Sequence, residues 1–330
     1  MKARNEHAEG FKLRNPLSLY NPYEYPEQLQ LKAKDPIHLE WVTACVESQG
    51  YRETMEDAYF DKTLPGGRLL GVLDGHGGSE VADYVSARFQ ILFPQMLEKH
   101  KTHRLFSKEK YNIHQALEET CFVIQNEIIE KSEFNHMGCT AVICYIEQST
   151  NCIYTATLGD SEANIYRNIE GKYWSIPISC IRDWGSWPDE LRAAIATRGE
   201  YKKPIVDYWE KEGITSRHRR IHQKLGGAPS ENFNVGCNVS RAFGDQINNI
   251  GRLFNTVVTK PKLDRCYLLP GDIIVLACDG LRECIEEDVI VNCVKASADK
   301  LASQISHNLV DLAIRSGSND NVTVLTVKIK

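Results

Sequence analysis

The sequence predicts a layered α+β domain, and three observations predict it. Six short apolar runs, rich in β-branched residues, are bounded by Gly, Asp or Asn and read as strands. Three other segments place their apolar residues on one helical face. Two of the strands are joined only by a short turn around Gln148–Asn151, which favours an antiparallel hairpin over a βαβ unit. Strands gathered together with helices outside them make layers.

In chain order, residues 1–40 are polar and interleave Pro16, Pro22, Pro26 and Pro36 with Tyr20, Tyr23 and Tyr25. Proline at that density disfavours long helices and predicts an N-terminal arm or strap. The domain follows over 41–330. Its strands are WVTACVES (41–48), LLGVLD (69–74), AVICYI (141–146), CIYTATL (152–158), IIVLAC (273–278) and VTVLTVKI (322–329). Val81, Tyr84, Val85, Phe89 and Leu92 form one helical face. A second is Ile113, Leu117, Cys121, Ile124 and Ile128, and a third is Leu301, Ile305, Leu309 and Leu312. The segment from about 174 holds Trp174, Trp184, Trp187 and Trp209, with a short helix expected between Pro188 and Gly199. It closes on the basic run Arg217–His218–Arg219–Arg220 and reads as an inserted flap subdomain over about 174–227.

Composition narrows the function classes. A formal charge of −5 over 330 residues offers no basic field, so nucleic acid is not the expected partner. The eleven cysteines include no C-x-x-C pair, and several lie in apolar runs where a thiol packs as a small hydrophobe. Reduced thiols in the cytoplasm are the expectation. The polar start MKARNEHAEGFK has no apolar h-region, and no apolar stretch reaches membrane-spanning length, so a soluble chain without membrane contact is expected.

The chemistry lies where acids meet strand ends. Glu56 and Asp57 follow Arg52 in RETMEDAY; Asp74 enters DGHGG; Asp160 closes LGDS; Asp279 opens DG after IIVLAC; Asp320 and Asn321 precede the last strand. A single Asp-Gly pair simply ends a strand. Several carboxylates converging at one sheet end repel one another unless cations neutralise them. Hard divalent cations, Mg²⁺ or Mn²⁺, suit such oxygen ligands, and two of them can bind a phosphoryl oxygen and activate a water for in-line attack. Gly75, Gly77 and Gly78 permit a tight backbone path in which a carbonyl faces a metal. His76, beside a candidate ligand, suits general-acid work, although a histidine in a Gly-rich turn serves equally as a surface residue. Arg52 fits a bidentate phosphate clamp.

The motifs RETMED, VLDGHGG, GCTAV, LGDSEA, VSRAFGD, ACDGL and DNVTV occur in this order from about Glu47 to Lys330. In that order the chain resembles the metal-dependent (type 2C) protein serine/threonine phosphatases. The resemblance implies a four-layer α-β-β-α sandwich of two antiparallel sheets flanked by helices. It also implies a binuclear Mn²⁺/Mg²⁺ centre in a cleft at one edge, and a phosphoprotein substrate. By it, Asp74 would bridge the metals and the Gly75 carbonyl would join the first. Asp279 and Asp320 would hold the second, and Glu56 and Asp57 would serve directly or through water. Asp160 with Asp279 would hold a weaker third metal. Arg52 would grip the phosphate, His76 would protonate the leaving oxygen, Asn321 would orient water, and Thr140 would lie beside the site.

Two departures stand out. Glu162 occupies the place after GDS where the family has arginine. The stretch after PISC (177–180) is longer and tryptophan-rich, with Gly226–Gly227 arriving late. Both features favour the rival reading of a pseudophosphatase, the same fold used as a binding or regulatory module. Retention of Arg52, Asp74, Asp279 and Asp320 favours the enzyme. A metal-dependent nuclease would need a basic groove with stacking aromatics, which the acidic net charge opposes.

Overall fold

Strand alternation explains the architecture. In β3 (Gly67–His76), Leu69 and Leu73 point to one apolar cluster while Leu70 and Val72 point to another. A strand covered on both faces reads as a continuous apolar run. The same holds for β4 (Gly138–Glu147), β10 (Ile273–Ala277) and β11 (Val322–Ile329). The computed structural model describes residues 39–101, 111–179, 239, 241–245 and 259–330. The arm expected before Leu39, and the expected flap beyond Ser179, lie outside the described residues.

One sheet runs β1 (Trp41–Ser48), β11, β10, β6 (Glu162–Ile169), β7 (Lys172–Pro177). The other runs β2 (Ala58–Leu64), β3, β4, β5 (Cys152–Leu158), β9 (Lys262–Tyr267), and a two-residue β8 (Phe243–Gly244) pairs with the start of β4. All of these pairings are antiparallel. Helices α1 (Glu80–Lys99) and α2 (Ile113–Ile129) cover the outer face of the second sheet, burying Val81, Val85, Phe89, Leu117 and Ile124. Helices α3 (Glu287–Ala296) and α4 (Ala302–Arg315) cover the first sheet through Ile290, Val294, Ile305 and Leu309. A third cluster, with Leu70, Val142, Ile165, Leu276 and Leu325, fills the space between the sheets. The result is the four-layer α-β-β-α sandwich.

Three details differ from the sequence reading. Leu301 does not join the apolar face of α4: it precedes the helix and is 68% exposed, and Ala302 is buried instead. The strands β2, β6, β7 and β9 had no apolar run to announce them, because Asp61 and Lys62, Arg167, Lys172, and Asp264 and Arg265 interrupt their period. The edge strands β2, β7 and β9 carry such charges to discourage further pairing, whereas β6 lies inside its sheet and buries Arg167 against Asp272. Finally, Trp174 belongs to β7, packs against the core between the sheets and has Lys172 Nζ 3.8 Å from its ring centroid. The boundary expected at 174 therefore falls inside a strand of the sandwich.

Register brings the strand ends of interest together. Asp74 to His76 close β3 opposite Thr140 to Gly138, which open β4. Ala277 of β10 pairs with both Glu162 and Val324, and Ser48 of β1 pairs with Val322.

Candidate active site

At this shared end, Asp74 continues the inward-facing row of Leu70 and Val72, so it enters the gap between the sheets. Asp57 precedes β2, Asp160 follows β5, Asp279 starts a short 3₁₀ turn after β10, and Asp320 precedes β11. The turn is held by Arg282 and Glu283, whose backbone N–H groups both donate to the Asp279 carbonyl at 2.8 and 2.9 Å. Gly280 is obligatory here, since a Cβ would collide with the Asn321 carbonyl oxygen.

The carboxylates form two overlapping groups. Asp57, Asp74 and the Cys278 thiol offer ligand atoms within 4.8 Å of one another, and so do Asp74, Asp160 and Asp279. Asp74 is common to both. Glu56 and Asp320 stand outside these two groups. Glu56 accepts from Thr54 Oγ1 at 3.1 Å, and Asp320 Oδ2 accepts from Arg52 Nη2 at 2.7 Å. A Cβ on Gly75 would strike the Glu56 carbonyl, so this glycine lets the two acid-bearing backbones touch.

The site's electrostatics favour a cation. Withdrawal from solvent pushes Asp57 up to about 7, against hydrogen bonds from Thr323 and Cys278. Withdrawal from solvent together with Asp320 pushes Asp279 up to about 6. Asp74 lies well above its ordinary value, first from loss of solvent and then from the Asp279, Asp57, Asp160 and Asp320 charges. Cys278 is buried, and burial pushes its thiol well up, so it stays protonated. Its Sγ donates to the Asn321 carbonyl at 3.4 Å and accepts from Thr323 N at 3.2 Å. The effective donors are therefore carboxylate oxygens, a set that fits hard divalent cations.

These shifts predict a pH dependence. Carboxylates whose native pKa is raised retain protons that the unfolded chain has released. Metal-free protein therefore loses stability as pH rises from about 4 through about 7, the range set by Asp57 and Asp279. Thermal melts in EDTA should show a lower Tm at about pH 7.5 than at about pH 5, and Mn²⁺ should raise Tm by several degrees more at the higher pH. An equal Mn²⁺ shift at both would show that these carboxylates do not take the ion.

The rim holds the remaining expected residues. Arg52 is exposed, on the loop between β1 and β2. Asn321 is buried and reaches back to that loop. Its Oδ1 accepts from Glu56 N at 2.8 Å, and its Nδ2 donates to the carbonyls of Gln49 and Thr54 at 2.8 and 3.0 Å. Both N–H groups of the amide are thus engaged in shaping the loop that carries Arg52. Thr140 is buried, with its Oγ1 2.6 Å from Ser161 Oγ.

Two contacts escaped the sequence reading. Glu162 is buried and paired with the Arg282 guanidinium, which also meets Glu287. The reversed charge has a local partner three residues after Asp279. His76 Nε2 lies 3.0 and 3.1 Å from the two carboxylate oxygens of Asp245, a buried residue at the end of β8. Burial opposes the imidazolium, but the Asp245 carboxylate outweighs it and holds His76 above its ordinary value. The only sequence signal for Asp245 was its place in VSRAFGD.

A family model described as protein phosphatase 2C matches residues 42–175 and 215–322. The chain belongs to the protein phosphatase 2C family. "Protein phosphatase 2C 1" of Paramecium tetraurelia is 25% identical over 321 residues, covering 88% of this chain and 92% of that one. The integrin-linked kinase-associated serine/threonine phosphatase 2C of Homo sapiens is 27% identical over 316 residues, covering 86% and 71%. Among solved structures, serine-threonine phosphatase 2C from Toxoplasma gondii superposes with a TM-score of 0.65 at 17% identity, covering 88% of this chain and 95% of that one. The catalytic domain of the phosphatase PstP, in complex with two manganese ions, gives 0.53 at 18% identity, covering 88% and 99%. Both structures share the sandwich. Among the described residues no helix is long and apolar enough to cross a membrane.

Proposed function

We propose that this protein phosphatase 2C family member is a serine/threonine phosphoprotein phosphatase with two Mn²⁺ or Mg²⁺ ions per site. The observation that carries the reading is Asp74, shared by two carboxylate groups whose mutual repulsion calls for positive charge. Asp74 would lie between two ions, with the Gly75 carbonyl on one side and Asp279 and Asp320 on the other. Glu56 and Asp57 would serve the pair directly or through water, and Asp160 with Asp279 a weaker third ion. The likeness to PstP with its two manganese ions supports that number. Bound there, the ions supply Lewis acidity, polarising the phosphoryl group and making water a nucleophile at neutral pH.

The chain's own residues do the rest. Arg52, on a loop shaped by Asn321, orients the phosphate through its planar guanidinium. His76 donates the proton that the serine or threonine oxygen takes as the P–O bond breaks. Among the described cysteines nine are free thiols, which supports a cytoplasmic setting. The pseudophosphatase alternative draws on Glu162, but the Arg282 partner absorbs that charge locally.

Phosphate release from a phosphoserine peptide should require Mn²⁺ or Mg²⁺ and stop with EDTA. His76→Ala should slow alkyl phosphates, with their poor leaving groups, roughly 10²-fold or more, and aryl phosphates far less. No release at saturating Mn²⁺ would favour the regulatory module. Equal losses on both esters would remove His76 from the acid role.

A further inference from the structure

His76 is held by a device that spans three elements. Its Nε2 faces both oxygens of Asp245, so one carboxylate fixes the ring's rotation as well as its position. Asp245 is 3% exposed and has a left-handed backbone (φ 54°), and Gly244 before it also has positive φ (76°). Such a path persists only where the surroundings impose it. Here they do. The Asp245 N–H donates to the Met137 carbonyl at 2.9 Å, and β8 pairs with Gly138 and Cys139. From the opposite side, the buried side chain of Gln125 on α2 grips the Gly244 backbone twice. Its Nε2 donates to the Gly244 carbonyl at 3.2 Å and its Oε1 accepts the Gly244 N–H at 2.9 Å. Gly138 completes the seat, since any side chain there would collide with both His76 Nε2 and Asp245 Oδ2.

We propose that Asp245, anchored through Gln125, is a positioning residue that holds the His76 imidazole by Nε2, so that the proton for the departing substrate oxygen leaves from Nδ1. The inference rests on the general-acid reading of His76. The balance is simple: water oxygen bonds to phosphorus, the P–O bond to the serine or threonine breaks, and the alkoxide takes the Nδ1 proton. The imidazole stays bonded to Asp245 throughout, in the manner of a carboxylate that orients a catalytic histidine without itself changing protonation.

A double-mutant cycle with Asp245→Asn and His76→Ala tests this, on a phosphoserine peptide and an aryl phosphate with Mn²⁺. Asp245→Asn should lower kcat on the peptide roughly 10- to 100-fold, with KM within about twofold and little effect on the aryl ester. In the His76→Ala background it should cost less than about twofold. An additive loss in that background, or equal losses on both esters, would overturn the proposal. If His76→Ala itself slowed neither ester, the acid reading would fall and the inference with it. Imidazole ¹⁵N spectra of the metal-free protein give a readout independent of turnover. The Nε2 signal of His76 should show a hydrogen-bonded N–H in the wild type and lose it in Asp245→Asn. An unchanged Nε2 signal would show that Asp245 does not hold the ring.

Discussion

Asp74→Asn should reduce phosphate release by at least about 10³-fold, yet leave the metal-free protein more stable than the wild type. The first effect follows from the place of Asp74 in both carboxylate groups, because on the proposed two-ion reading loss of a shared ligand would weaken the hold on both ions and forfeit several kcal/mol of charge stabilisation. The second follows from the same crowding. An isosteric amide removes one charge from a set in which Asp57, Asp160, Asp279 and Asp320 all raise the Asp74 pKa. At about pH 7.5 the remaining carboxylates ionise against less repulsion, so Tm in EDTA should rise while the Mn²⁺-induced shift shrinks. Asp279→Asn should behave alike through the second group. Two variants retaining activity within about tenfold of wild type would remove the shared-ligand mechanism.

The second large effect lies at the other end of the sandwich. Arg167 and Asp272 are buried and paired twice, Nε to Oδ1 at 2.8 Å and Nη2 to Oδ2 at 2.7 Å. Arg167 also donates to the Tyr267 carbonyl at 2.8 Å, and Asp272 accepts the Leu269 N–H at 2.8 Å. The pair therefore ties β6 to the turn between β9 and β10. Asp272→Ala leaves a buried guanidinium uncompensated and should lower stability by about 3–5 kcal/mol, measured by urea denaturation. Replacing both, Arg167→Met with Asp272→Leu, should restore most of that loss, because the second charge leaves with the first. Five positions along β6 separate Arg167 from Glu162, so kcat well below the melting temperature should stay unchanged in both variants. A single mutant as stable as wild type would mean that water reaches the pair.

What the sequence disclosed follows from which signals are local. Strands buried on both faces, such as β4 and β11, are continuous apolar runs, and α1 and α2 show one apolar stripe each. Charged strands such as β9 (KLDRCY) show neither, since their partners and not their composition make them strands. Asp74, Asp160, Asp279 and Asp320 were legible because each ends an apolar run or lies one or two residues from one, whereas Glu56 and Asp57 stood out only by their place after Arg52 in RETMEDAY. Asp245 was not: its strand has two residues, and its partner His76 is 169 positions away. Asn321 was noticed, but a side-chain amide does not reveal from sequence that its partners are the Gln49, Thr54 and Glu56 backbones.

The position of β11 between β1 and β10 has a consequence for how the protein comes into being. Arg52 and Asp320 meet across 268 positions, and Asp57 meets Thr323 across 266. A nascent or clipped chain ending before residue 320 would carry most of the acids but lack the strand that aligns them. Closure over such sequence distances is slow. The end of the sandwich that gathers these acids exists only once its first and last strands have found each other.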